Sequence, residues 1–194
     1  MFGDALALAM SAELLRAQND LEKVSTGLYG EPTKVITWDV STRGEVTGDL
    51  QEFKELTEEI YSDPRGWIRA GVKFEYVESG GTLHVVLASP QEVYNFSPSG
   101  CSDEWSCTVK PYVIINDDRW MGATNSYNEA GMSLLDYRRM VMNHETGHWL
   151  GHDHLTSCSD YNNLAPIMMQ QSIDLRGCNA NPWPLNDELW TRGV

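Results

Sequence analysis

Residues 144 to 154 read HETGHWLGHDH and hold four of the chain's five histidines. In an α-helix, residues four apart lie one turn apart on the same face. His144 and His148 can therefore present two imidazoles to one ion, with Glu145 beside the first ligand and not obliged to bind. An HExxH helix suits a catalytic zinc, with two histidines as ligands and the glutamate as general base toward a bound water. The pattern continues as His144-Glu145-x-x-His148-x-x-Gly151-x-x-His154. Five residues so spaced arise by chance in on the order of one chain in 10⁵, so the extended signal is specific. Gly151 can leave the right-handed helix at positive φ and turn the chain so that His154 comes back toward the ion. Three neutral nitrogens and one open position make a catalytic, not a structural, zinc site. His152 competes for third place, because a helix unbroken at Gly151 would align His144, His148 and His152 on one face. Such a helix separates its first and third histidines by roughly 11 Å, so His154 is the expected third ligand and His152 a neighbour.

This helix needs a scaffold, and the rest of the chain reads as an α+β domain. Leu134, Tyr137, Val141, His144, His148 and Gly151 recur at spacings of three and four, with Ser133 and Asp136 as a capping-box-like start. KVITWDVS (34–41), VKFEYVE (72–78), TLHVVLAS (82–89) and PYVIIND (111–117) carry strand patterns. Gly80-Gly81 suggests that the second and third form a hairpin or an adjacent pair. Pro111 at the head of PYVIIND suits a sheet edge, which makes that strand the candidate to lie beside an extended substrate. Residues 50–61 put Leu50, Phe53, Leu56, Thr57 and Ile60 on one helical stripe behind Asp49 as N-cap. Residues 90–110 read as a loop stapled by cysteines, and those after 154 as a small irregular C-terminal lobe. A chain of 194 residues supports one core. The expected organisation is an N-terminal helix or stem over 1–30 and a single catalytic domain over 31–194, built from a mixed twisted sheet, a backing helix and an active-site helix.

Charge and cysteine content exclude several functions. Asp and Glu outnumber Lys and Arg by 28 to 14 without any basic cluster, which argues against nucleic acid as a partner. No run of eighteen apolar residues occurs, so no membrane insertion is expected of this chain. Asp4 precedes the short apolar run of MFGDALALAM and no basic residue comes before Arg16, so no export signal is legible. Cys101, Cys107, Cys158 and Cys178 form no CxxC pair, which disfavours a thiolate zinc site. They fall most simply into Cys101–Cys107 and Cys158–Cys178, although four cysteines allow three pairings. Disulfides would imply an oxidising compartment, extracellular or cell-envelope. The chain is expected to act as a monomer on a peptide or protein substrate.

The extended motif resembles the signature of the metzincin clan of zinc peptidases, in which a methionine-containing turn follows the histidines. Pro166-Ile167-Met168-Met169 is similar to that turn, with Met168 the better match and Met169 the fallback. RGW (65–67), VVLASP (85–90), INDDRW (115–120), VMNHETGHWLGH (141–152) and APIMMQQS (165–172) are similar to a little-characterised group of metzincin-like domains common in actinobacteria. That likeness spans most of residues 34 to 190. The resemblance implies a metzincin-like fold and one catalytic Zn²⁺ held by His144, His148 and His154. It also implies a methionine forming an apolar floor, and peptide-bond hydrolysis with Glu145 as base, as in an endopeptidase. The sequence departs from several clan families at Gln170, where they place a tyrosine that assists the oxyanion, and at Leu155, after the third histidine. Tyr127 and Tyr161 are weak substitutes for that tyrosine and read better as packing residues. His84, Trp120 and Trp149 read as packing residues, and Arg138-Arg139 as solvated or paired within the fold.

Overall fold

The structure is a computed structural model and describes residues 32–192. The N-terminal helix or stem expected over 1–30 lies outside them. Its sheet contains β1 (Lys34–Arg43), β2 (Val72–Tyr76), β3 (Leu83–Ala88), β4 (Cys107–Val109) and β5 (Tyr112–Asn116). Their order across the sheet is β2-β1-β3-β5-β4, with β4 antiparallel to β5 and all other pairings parallel.

The expected pairing of 72–78 with 82–89 is corrected. Both strands run parallel to β1 on opposite sides of it: Trp38 pairs with Tyr76 on one side and with Leu83 on the other. The first half of β1 serves β2 and the second half serves β3, so Gly80-Gly81 carries the chain past β1 instead of folding it back. At Gly81 a Cβ would stand 2.8 Å from the Trp38 Cα and carbonyl carbon, a crossing too close for any side chain. A second correction concerns PYVIIND. β5 is paired on both sides, with β3 and with β4, so the edge on that side of the sheet is β4, which the sequence hid inside the cysteine loop. Pro111 stands just before β5, after a cis Lys110–Pro111 peptide.

Helix α1 (Leu50–Ser62) starts where expected, Asp49 accepting the Glu52 N–H at 2.8 Å. Its buried Phe53, Leu56 and Ile60 meet Ile36, Trp38, Val85, Leu87, Val113 and Ile115 on one face of the sheet. Each such side chain contributes about 1.5–3 kcal/mol by leaving water. The opposite face packs Val86, Ala88 and Ile114 against Val93 of α2 (Pro90–Phe96). The expected loop over 90–110 is thus partly regular, because Pro90 at the first helical position favours a helix start. Helices α3 (Asp117–Gly122) and α4 (Asn125–Glu129) lead to α5 (Leu134–Leu150), the motif helix. Ser133 caps α5, its Oγ accepting the Asp136 N–H at 3.0 Å. Tyr61 of α1 reaches Thr146 of α5 across the core at 3.0 Å.

Beyond α5 the chain forms an irregular lobe, held by two isolated bridges (Leu155 with Met169, Leu164 with Asn179) and the Cys158–Cys178 disulfide. The other disulfide is Cys101–Cys107, so both local pairings are present. The fold is α+β. No helix among the described residues is long and apolar enough to cross a membrane.

Candidate metal centre

Helix α5 ends at Gly151, whose φ of 104° and left-handed conformation terminate the spiral. Its N–H returns to the helix at His148 O and that of His152 to Gly147 O, both at 3.0 Å. The turn swings the chain back, and Leu155 N–H then bonds Met168 O at 3.0 Å, fixing the segment that bears His154. The ligand atoms of His144, His148 and His154 all lie within 4.8 Å of one another, so these three residues form a group that can hold a metal ion.

The donor chemistry fits such an ion. His144 Nδ1 lies 2.7 Å from Ile167 O, and His148 Nδ1 lies 2.8 Å from His152 O. A carbonyl only accepts, so both Nδ1 atoms carry hydrogen and both Nε2 atoms expose lone pairs. His148 Nε2 and His154 Nε2 are 3.0 Å apart, a separation suited to two nitrogens facing one cation. Burial and the neighbouring His148 press the His144 pKa down to about 3. Burial also lowers His148 and, with His148 beside it, His154. All three are neutral at physiological pH, as ligation requires.

Glu145 is 5% exposed and lies on the same cleft wall. Burial raises its pKa to about 7, opposed by the hydroxyl of Thr108, which is 2.8 Å from both Glu145 Oε2 and Glu145 O. Thr108 belongs to the edge strand β4, immediately after Cys107. Sequence reading missed this contact, since nothing local to Cys107-Thr108-Val109 points 37 residues ahead. The cleft, about 730 Å³, runs between the disulfide loop from Pro98 to Thr108 and the segment Gln170–Ile173.

His152 contributes its backbone and not its ring to the cluster. Its ring lies 3.7 Å from that of Trp190, and its Nε2 is 2.8 Å from Trp190 O. Met168 and Met169 lie in different surroundings. Met168 Sδ sits against Gly147 of α5, where a Cβ would be only 2.3 Å away. Met169 packs with Ala165 and Cys178 in the lobe. Pro166, Ile167, Met168 and Met169 form a turn closed by Met169 N–H to Pro166 O at 3.0 Å.

The remaining candidates lie away from the cleft. Tyr127 is buried with its hydroxyl toward Asp136 O, and Tyr161 is exposed on the lobe. Trp120 and Trp149 are buried in the core. His84 pairs with Asp39 at 2.7 Å on the sheet. Arg138 meets Glu52 and Arg139 meets Glu59, both at 2.7 Å. Gln170 does line the cleft, while Leu155 is exposed and pairs with Met169. Glu188, which no local pattern singled out, is buried under the methionine turn, accepting backbone N–H bonds from Ile167 and Met168 at 2.9 Å.

A family model described as "Protein of unknown function (DUF3152)" matches residues 29–188. No curated protein matches the chain.

Proposed function

The chain belongs to the DUF3152 family of proteins of unknown function, and we propose that it is a zinc-dependent hydrolase of the metzincin type that cuts peptide bonds as an endopeptidase. The observation that carries this reading is the convergence of three neutral imidazoles beside a buried carboxylate at the wall of an open cleft. His144, His148 and His154 would hold the ion through nitrogen. Zinc so held supplies a Lewis acid and brings the pKa of water toward neutrality.

Glu145 would take the proton of the attacking water and hand it to the leaving amine, a role suited to a carboxyl whose pKa burial has moved to about 7. Thr108, on β4, fixes the carboxylate through its hydroxyl. An extended peptide would lie along β4, the edge strand whose Cys107 and Thr108 line the cleft. The two disulfides support a secreted or cell-envelope protein, and the chain would act as a monomer.

The test pairs metal analysis with turnover. Wild type should carry one zinc and cleave denatured proteins, and Glu145→Ala should keep the zinc and lose cleavage by at least 10²-fold. Near wild-type activity in Glu145→Ala would remove the assigned base. One accepted substrate across a broad panel would narrow the function to a dedicated processing hydrolase. Stoichiometric zinc without turnover would leave a zinc-stabilised binding module.

A further inference from the structure

Glu188 is 2% exposed and sits in the 3₁₀ turn Asn186–Glu188, 34 residues beyond His154 in sequence, yet directly behind the methionine turn. Three backbone N–H groups converge on its carboxylate: Leu185 at 2.8 Å, Ile167 at 2.9 Å and Met168 at 2.9 Å. Burial raises the pKa of this carboxyl, opposed by the three N–H donors and by the nearby Arg69; three donors and no acceptor around the carboxylate hold its ionised form in place. The Met168 N–H and the Ile167 carbonyl belong to one peptide unit. That carbonyl accepts the Nδ1–H of His144 at 2.7 Å. A continuous relay therefore runs from Glu188 Oε1 through the 167–168 amide to His144 Nδ1, with His144 Nε2 pointing into the ligand cluster.

We propose that Glu188 is a positioning residue for the metal centre, orienting His144 and strengthening its Nε2 as a donor through the 167–168 amide. This inference rests on the zinc-site reading above. A carboxylate on the far side of an amide pulls its N–H, increases the negative charge on its carbonyl oxygen and so tightens the bond from Nδ1–H. Hydrogen bonds in series polarise one another in this way. Carboxylates that bond directly to a ligand imidazole fix its tautomer and raise its basicity, and losing such a partner costs 10–100-fold in metal affinity. In this chain one peptide unit is interposed. His148 provides an internal comparison: its Nδ1–H also meets a carbonyl, that of His152, at 2.8 Å. No carboxylate among the described residues bonds the N–H of the following residue, Asp153. The relay is thus specific to His144. Arg69 anchors the same segment, bonding Asn186 Oδ1 at 3.0 Å and the Pro184 carbonyl.

Glu188→Gln keeps the shape but removes the charge and turns one oxygen into a donor facing an N–H. Zinc affinity is measured by competition with a chelator on folded protein, alongside the melting temperature of the metal-free form. The relay predicts that E188Q weakens zinc binding by up to about 10-fold, the low end of what losing a direct partner costs. It also predicts that the His144 Nδ1–H resonance of zinc-loaded protein, observed by ¹H–¹⁵N NMR, lies downfield of that of His148 and moves upfield in E188Q. A lower metal-free melting temperature with unchanged zinc affinity overturns the proposal, leaving Glu188 as a brace. If E188Q does not fold, the wild-type spectrum decides, and a His144 Nδ1–H no further downfield than that of His148 overturns it. A wild-type chain that binds no zinc refutes the proposed function and the relay together; tight zinc binding unchanged by E188Q refutes the relay alone.

Discussion

Gly147→Ala probes the contact between the motif helix and the methionine turn. Inside a helix, alanine is favoured over glycine by about 1 kcal/mol, so an unobstructed position would gain stability. At 147 the added Cβ would lie 2.3 Å from Met168 Sδ and 2.9 Å from Trp67 Cζ2. Met168 is fully buried and Trp67 is 1% exposed. Trp67 is pinned by its indole N–H to Asn143 O at 2.9 Å, so Met168 must yield. Overpacking costs about 1–3 kcal/mol, and two contacts this short put the cost near 3. Subtracting the helix gain leaves a net loss of about 2 kcal/mol, or roughly 4–8 °C in melting temperature for a domain this size. Met168→Ala alone should cost about 2–5 kcal/mol by opening a cavity. In that background Gly147→Ala should be nearly neutral, a coupling of about 2 kcal/mol. The assay is denaturant unfolding of all four proteins, metal-free because bound zinc would add its own stabilisation, with disulfides intact. Effects that add within about 0.5 kcal/mol would refute the contact.

Other expectations follow from the same geometry. His154→Ala should abolish tight zinc binding and leave metal-free stability almost unchanged, since His154 is exposed. His152→Ala should keep zinc and lose stability through its contacts to Trp190, and metal analysis with melting curves giving the opposite pattern would overturn the assignment of the third ligand. Glu145 has a folded pKa of about 7 against 4.5 unfolded, so the stability it contributes is fully present below pH 4.5 and is lost as pH rises through 7. Metal-free Glu145→Gln should therefore exceed wild type by about 3 kcal/mol at pH 8 and match it near pH 4.5; denaturant unfolding with a pH-independent difference would contradict this. Replacing both cysteines of Cys158–Cys178 by serine, with a separation of 20, should cost about 3 kcal/mol, against about 2 for Cys101–Cys107, with a separation of 6. Denaturation midpoints in the reverse order would sink the chain-entropy account.

The parts of the fold and site that could be read from the sequence were those set by local periodicity and caps. Asp49 and Ser133 announce their helices because a short polar side chain must satisfy the first free N–H groups. Gly151 announces the end of α5, and the spacing from His144 to His154 follows from helix pitch plus one left-handed residue. Both disulfides follow from local couples. What escaped depends on distant partners. β1 divides its length between β2 and β3, and a Gly-Gly pair looks the same whether it reverses a chain or carries it past a neighbour. The edge strand Cys107–Val109 has three residues, too few for a period-two pattern. Thr108 reaches Glu145 and Glu188 reaches Met168 through contacts 37 and 20 residues apart, and neither leaves a mark on its own neighbourhood. His152 looked like a spare ligand because its real work, a carbonyl for His148 and a ring against Trp190, depends on the folded lobe.

The most direct test of the central claim is mass-spectrometric mapping of cut sites after zinc-loaded protein is incubated with a broad library of denatured proteins and peptides. New peptide termini are expected that disappear when zinc is removed by a chelator, return when zinc is restored, and are absent with Glu145→Ala. Full zinc occupancy with no new termini anywhere in the library would contradict the central claim.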